Sequence, residues 1–150
     1  SKSLVHRDIK PGNIVIDKNG QVVLIDFGVS KSIQLESITN PGEVVGTPLY
    51  LSPEQARADA SLDIRSDFYA LGVCLYHMLT GSTPFDGQSS VQILLKHVSV
   101  TPPNPLKYNP TLHEKTVDLV LMLLAKDPDN RPADGVALKR IIKQVICEID

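Results

Sequence analysis

Residues 5–16 read VHRDIKPGNIVI, and the fold and the chemistry both turn on them. Asp8 stands between two cations, Arg7 and Lys10, and an amide, Asn13, follows five places later. The stretch then runs into the apolar residues Ile14, Val15 and Ile16. Together, "NIVID" (13–17) and "QVVLID" (21–26) flank "KNG" (18–20), and Asn19-Gly20 is a strong turn signal, so the spacing predicts a β-hairpin. A hairpin returns the chain to its starting edge. Asp8 and Asn13 precede its first strand and Asp26 ends its second, so these three should converge. Two carboxylates and an amide oxygen suit a hard divalent cation such as Mg²⁺, which prefers oxygen ligands and keeps phosphate and water as the rest. Lys10 on the same loop can meet phosphate oxygen. The residues alone therefore suggest a metal-assisted phosphate site, set against the plainer reading of solvated polar groups on a loop.

The rest of the chain divides sharply. Residues 27–53 hold no sustained period and many Ser, Thr, Pro and Gly, which reads as a long loop of the functional or regulated kind. Four helical segments follow. Asp67 to Leu79 is apolar nearly all round and predicts a central buried helix, stopped by Gly81. Ser89 or Ser90 caps "SVQILLKHVS" (90–99). After a proline-rich connector (100–110) comes "LHEKTVDLVLMLLAKD" (112–127), ended at Asp127-Pro128. The last helix runs from Ala133 to Glu148, with Val136, Leu138, Ile141, Ile142 and Val145 as its apolar face. The fold class is thus mainly α with a small antiparallel hairpin.

Composition narrows the function. The 150 residues are 42% hydrophobic and 21% charged with a net charge of −2, ordinary for one globular unit and unsuited to a nucleic-acid surface. Cys74 and Cys147 have no metal-type spacing and read as two reduced, buried thiols of a cytoplasmic protein. The longest apolar runs are too short to span a bilayer, so no membrane contact is expected from this segment. His77 reads as a helix-face histidine with a satisfied partner, and His97 and His113 as exposed. "LKRIIKQ" (138–144) reads as the solvated side of the last helix.

"HRDIKPGN" (6–13), "DFG" (26–28) and "GTPLYLSPE" (46–54), in that order and at those intervals, resemble the catalytic loop, magnesium motif and P+1 segment of the protein kinases. The resemblance continues through residues 63–85 and "LLAKDPDNRP" (123–132), so it covers nearly the whole chain. Lys10, two places after Asp8, is similar to the serine/threonine branch, and "GTPLYLSPEQA" is similar to the eukaryotic-like kinases of bacteria.

That resemblance implies an α+β parent fold, ATP and Mg²⁺ as cofactors, and a protein Ser or Thr hydroxyl as substrate. It implies Asp8 as catalytic base, Lys10 on the γ-phosphate, Asn13 and Asp26 as magnesium ligands, and Thr47 bonding Asp8 and Lys10 while presenting the hydroxyl. Val15 would lie under the adenine. His6 and Phe27 would join the apolar column between lobes, Asp67 would hold the catalytic loop, and Glu54 and Arg131 would form a buried ion pair. Arg7 would meet a phosphorylated loop residue, with Ser37 and Thr39 as candidates and Glu43 as a built-in carboxylate.

No G-x-G-x-x-G occurs, and neither the strand lysine nor the helix glutamate of an N-terminal lobe is present. The chain is therefore expected to be the C-terminal lobe of a kinase domain, spanning 1–150 without its N-lobe, and inactive by itself. The alternative is a non-catalytic fragment that docks substrates or a regulator.

Overall fold

The computed structural model describes residues 4–26 and 48–149. Phe27, Ser37, Thr39, Glu43 and Thr47 lie outside the described residues. Strands β1 (Ile14–Ile16) and β2 (Val22–Leu24) form an antiparallel pair with Ile14 opposite Leu24, Val15 opposite Val23 and Ile16 opposite Val22. Between them, the Gly20 amide donates to the Asp17 carbonyl and the Asp17 amide to the Gln21 carbonyl. Gly20 takes φ +77°, a left-handed conformation that glycine adopts without a Cβ clash. Asp17 Oδ1 accepts from the Asn19 and Gln21 amides at 2.8 Å each, which closes the turn.

Among the described residues five α-helices follow: α1 (Pro53–Ala56), α2 (Ile64–Thr80), α3 (Ser90–Ser99), α4 (Glu114–Leu123) and α5 (Gly135–Ile149). The described part is thus mainly helical with one small antiparallel hairpin, as the sequence predicts. α2 is the centre. Tyr69, Val73 and Tyr76 pack with Val120 and Leu124 of the α4 end, while Phe68 packs with Leu119, Leu123 and Leu138. Gly72 lets α2 and α4 meet closely, since a Cβ there would stand 2.7 Å from the Leu123 Cβ.

Several helix bounds and burials differ from the sequence reading. α2 begins at Ile64 because the Asp63 side chain accepts from the Arg65 amide as N-cap. The short α1 has no apolar period to announce it and is set by a capping box. Ser52 Oγ accepts from the Gln55 amide (3.2 Å), and Gln55 Oε1 accepts from the Ser52 amide (3.1 Å). α4 stops at Leu123, short of Asp127, and the carbonyls of Ala125 and Lys126 beyond it accept from Arg131.

On α5, Leu138, Ile141, Ile142 and Val145 face the core, but Val136 is 80% exposed because it lies on the opposite side of the helix. Cys147 is exposed for the same reason; only Cys74 is a buried thiol, its pKa pushed up to about 12 by burial. His113 is exposed and caps α4. His77 sits on α2 with Tyr50 Oη 2.9 Å from its Nδ1. His97, expected on the surface, is fully buried in contact with Tyr69 and Phe85. Among the described residues, no helix is long and apolar enough to cross a membrane.

Candidate functional site

The loop before β1 is anchored from below. Asp67, in the first turn of α2 and 3% exposed, accepts the His6 amide on Oδ2 (2.7 Å) and the Arg7 amide on Oδ1 (2.8 Å). Burial raises the pKa of this carboxyl, and the two backbone donors and the Arg7 charge oppose the rise. Gln55 reaches from α1 to donate Nε2 to the Arg7 carbonyl at 3.0 Å. Arg7 is thereby held at φ +68° with its side chain exposed. A left-handed non-glycine residue is costly and persists only when its surroundings over-determine it. Here the clamps are Asp67 on its amide and Gln55 on its carbonyl.

His6 ties this loop to the hairpin. The Asp8 amide donates to His6 Nδ1 (3.3 Å), and His6 Nε2 lies 3.0 Å from the Ile25 carbonyl oxygen. A backbone N–H only donates and a carbonyl only accepts, so in these contacts the ring is neutral with its proton on Nε2. The Ile25 amide in turn donates to the Asn13 carbonyl at 2.9 Å, extending the β1–β2 ladder by one pair. Asp26 follows at φ +54°, exposed, next to the residue that both His6 and Asn13 hold.

Asp8 is the hub. Lys10 Nζ donates to its Oδ2 at 2.9 Å and its Oδ1 at 3.2 Å. Asn13, 5% exposed, donates Nδ2 to the Asp8 carbonyl (2.7 Å) and to Oδ2 (3.0 Å). Both acceptors fix the amide orientation, because neither can donate. Asn13 therefore has only Oδ1 to offer any further ligand. The structure thus brings Asp8, Lys10 and Asn13 into direct contact, and Asp26 follows Ile25, whose backbone is bonded to Asn13 and His6. Val15 is 43% exposed on the hairpin, paired with Val23.

Asn13 Oδ1 and carboxylate oxygens are ligands of the type a hard cation takes while keeping phosphate and water as the rest. No group of three or more His, Cys, Asp or Glu able to hold a metal occurs among the described residues.

The second anchor lies on the other side of α2. Arg131 donates Nη1 to Glu54 Oε1 (2.7 Å) and Nη2 to Oε2 (3.0 Å). Its remaining donors go to the carbonyls of Ala125 (2.8 Å), Arg65 (2.8 Å) and Lys126 (3.2 Å). All five guanidinium donors are used. Burial pushes the Glu54 carboxyl up, but Arg131 and the Ser66 hydroxyl at 2.8 Å more than offset this, and its pKa ends below the ordinary value.

The residues that the sequence reading missed are Gln55, Tyr69, His97 and Lys126. Gln55 had a signal, the S-x-x-Q of a capping box. The other three had none, since they meet only through packing of α2, α3 and the segment after α4.

The protein kinase domain family matches residues 1–146. Among relatives, serine/threonine-protein kinase PrkC of Bacillus subtilis is 44% identical over 128 residues, covering 85% of this chain and 20% of that protein. The DNA damage-responsive serine/threonine-protein kinase RqkA of Deinococcus radiodurans is 42% identical over 142 residues, covering 94% and 21%. Serine/threonine-protein kinase PknB of Mycolicibacterium smegmatis is 44% identical over 130 residues, covering 85% and 21%. The chain spans about a fifth of the length of these curated relatives. A helical unit built on α2, a hairpin bonded to the Asp8 loop and a match across nearly every residue place the chain in the protein kinase family, with bacterial serine/threonine kinases among its relatives.

Proposed function

We propose that the chain carries the catalytic corner of a serine/threonine protein kinase, transferring the γ-phosphate of ATP to a protein Ser or Thr hydroxyl. The observation that supports this best is the Asp8–Asn13 pair. One amide group holds the aspartate by both its backbone and its carboxylate, and leaves its own oxygen facing elsewhere. Asp8 would accept the hydrogen bond of the attacking hydroxyl and take its proton as the new O–P bond forms and the bond from the γ-phosphorus to the β–γ bridging oxygen breaks, releasing ADP. Lys10 and Asn13 keep its carboxylate in one orientation, and a fixed carboxylate is what a positioning mechanism needs. Lys10, already on Asp8, is the cation that would meet the γ-phosphate. Asn13 and Asp26 would hold magnesium, which when bound neutralises charge on the terminal phosphates. Thr47 would bridge Asp8 and Lys10 and present the hydroxyl. Arg7, exposed and backbone-clamped, would receive a phosphate carried by Thr39 or Ser37.

The hairpin supports completion of the cleft by an upstream lobe. Ile16 and Val22, paired across the hairpin, are each 69% exposed, apolar surface that suits a covering partner. Val15 would then lie under the adenine, with His6 and Phe27 in the column between lobes. Half a cleft cannot align the β- and γ-phosphates, so the chain alone would transfer no phosphate. ATP dependence suits a cytoplasmic location.

The test joins the chain to an upstream kinase lobe and follows autophosphorylation beside Asp8→Asn and Asp26→Ala. Both variants should lose transfer while keeping the fold. Transfer by Asp8→Asn at the parent rate would overturn the reading.

A further inference from the structure

α1 carries two anchors on consecutive residues, which point about 100° apart around a helix. Glu54 turns to Arg131 and the Ser66 hydroxyl. Gln55, 8% exposed, turns to the Asp8 loop. Its side-chain amide is held at both ends. Oε1 accepts from the Ser52 amide at 3.1 Å, and Nε2 donates to the Arg7 carbonyl at 3.0 Å. A backbone N–H only donates and a carbonyl only accepts, so the two groups of the amide cannot be exchanged.

The helix explains only half of that amide. A capping box needs an acceptor at this place, and a glutamate serves it as well as a glutamine. The donor, Nε2, has no part in the cap. It reaches across 48 residues of sequence to the Asp8 loop. The carbonyl it meets belongs to the same peptide unit as the Asp8 amide, which donates to His6 Nδ1 (3.3 Å). The Arg7–Asp8 peptide plane is thus held on its oxygen by α1 and on its N–H by His6. A peptide unit moves as a rigid plane, so turning this one swings the Asp8 side chain. Arg7 stands at φ +68° with its amide on Asp67, and a residue strained in this way relaxes once a clamp is gone.

We propose that Gln55 is a positioning residue: its Nε2 bond to the Arg7 carbonyl locks the peptide unit that leads into Asp8 and ties it to the helix that follows the Thr47 segment. This rests on the kinase reading, in which Asp8 is the base and that segment presents the substrate hydroxyl. The tie sets base and hydroxyl in register, so it serves the transfer step and leaves the holding of either substrate alone. Gln55→Glu separates the two duties of the side chain, since a carboxylate keeps the acceptor for Ser52 and loses the donor for Arg7.

The test has two arms, both at about pH 8, where the introduced glutamate is ionised. In the 150-residue chain, Gln55→Glu should quicken amide exchange at Arg7 about tenfold, the equivalent of one neutral hydrogen bond, and leave exchange at Ser52 no faster. Equal quickening at Ser52 and Arg7, or none at Arg7, overturns the proposal. In the chain joined to an upstream lobe, with a synthetic peptide copying residues 33–44 as substrate, Gln55→Glu should lower kcat about tenfold with KM for peptide and for ATP unchanged. An unchanged kcat, or a loss confined to KM, overturns it. Should Gln55→Glu fail to fold, Gln55→Met loses the donor without adding a charge, and the same split between kcat and KM decides. Absence of transfer by the joined parent protein would instead sink the kinase reading, and the exchange comparison would still decide the tie.

Discussion

Arg131 holds Glu54 across 77 residues of sequence by two parallel bonds, 2.7 and 3.0 Å long, with its own side chain wholly out of solvent. This pair fastens α1 to the segment between α4 and α5. Because Arg131 also bonds three backbone carbonyls, the guanidinium ties α1 both to Arg65 at the start of α2 and to the segment after α4. Glu54→Gln leaves that cation buried against a neutral amide. The expected cost is about 3–5 kcal/mol, the usual penalty for breaking one side of a buried pair. In a 150-residue chain this lowers the melting temperature by about 6–20 °C, at roughly 2–4 °C per kcal/mol. Calorimetry on the two proteins checks it. The acid side follows from sign. A carboxyl whose folded pKa lies below its unfolded value of 4.5 contributes stability above 4.5 and loses it as pH falls through the folded value. Glu54→Gln should remove that part of the acid transition.

Asp67 binds two consecutive amides, one on each carboxylate oxygen, at the point where the Asp8 loop meets α2. Asp67→Asn offers one oxygen and turns an NH₂ toward the second amide. One buried N–H loses its acceptor, at about 1–3 kcal/mol. The effect should be local: amide exchange should quicken at His6 and Arg7 more than in the middle of α2. Uniform quickening along α2 would mean that the aspartate merely supports the helix.

What the sequence disclosed and what it hid divide along physical lines. The hairpin was legible because Asn19-Gly20 supplies the left-handed turn residue, and the long helices because their apolar residues recur at helical spacing. The motif around Asp8 was legible because its residues sit within eight positions of one another. His97 was not. A lone histidine in "LLKHVS" carries no mark of burial, and the groups that neutralise and orient it come from α2 and from Lys126, 29 residues further on. Cys147 and Val136 misled because an apolar residue near a helix end reads as inward until the packing partner, here α4, fixes which face is covered.

Ala58 offers a stabilising substitution. It follows α1 at φ +57°, its amide donates to the Gln55 carbonyl, and the Asp59 amide donates to the Glu54 carbonyl. That is the two-bond arrangement in which the residue after the helix cap is left-handed and usually glycine. An alanine Cβ makes this conformation cost roughly 1–2 kcal/mol. Ala58→Gly should recover about 0.5–1 kcal/mol after the added freedom of the unfolded chain is counted. A urea midpoint that rises with an unchanged m-value is the expected result.

Lys126 gives the alkaline counterpart. Burial first, then the charges of Arg131 and Arg57, lower its pKa from 10.5 to about 8. Between those values the unfolded chain binds a proton that the folded chain does not, so stability contributed by this group rises with pH across that window. The slope is at most one proton, about 1.4 kcal/mol per pH unit. Lys126→Met keeps the stem against Phe85 and removes the titration. Subtracting its stability from that of the parent should leave a difference that grows in favour of the parent from about pH 8 to 10.5 and is flat near neutrality. Urea unfolding of both proteins at stepped pH measures it. A flat difference throughout would mean that the ammonium keeps its solution pKa, and hence that the His97 and Lys96 carbonyls, the Tyr69 oxygen and the Phe85 ring solvate it as well as water does.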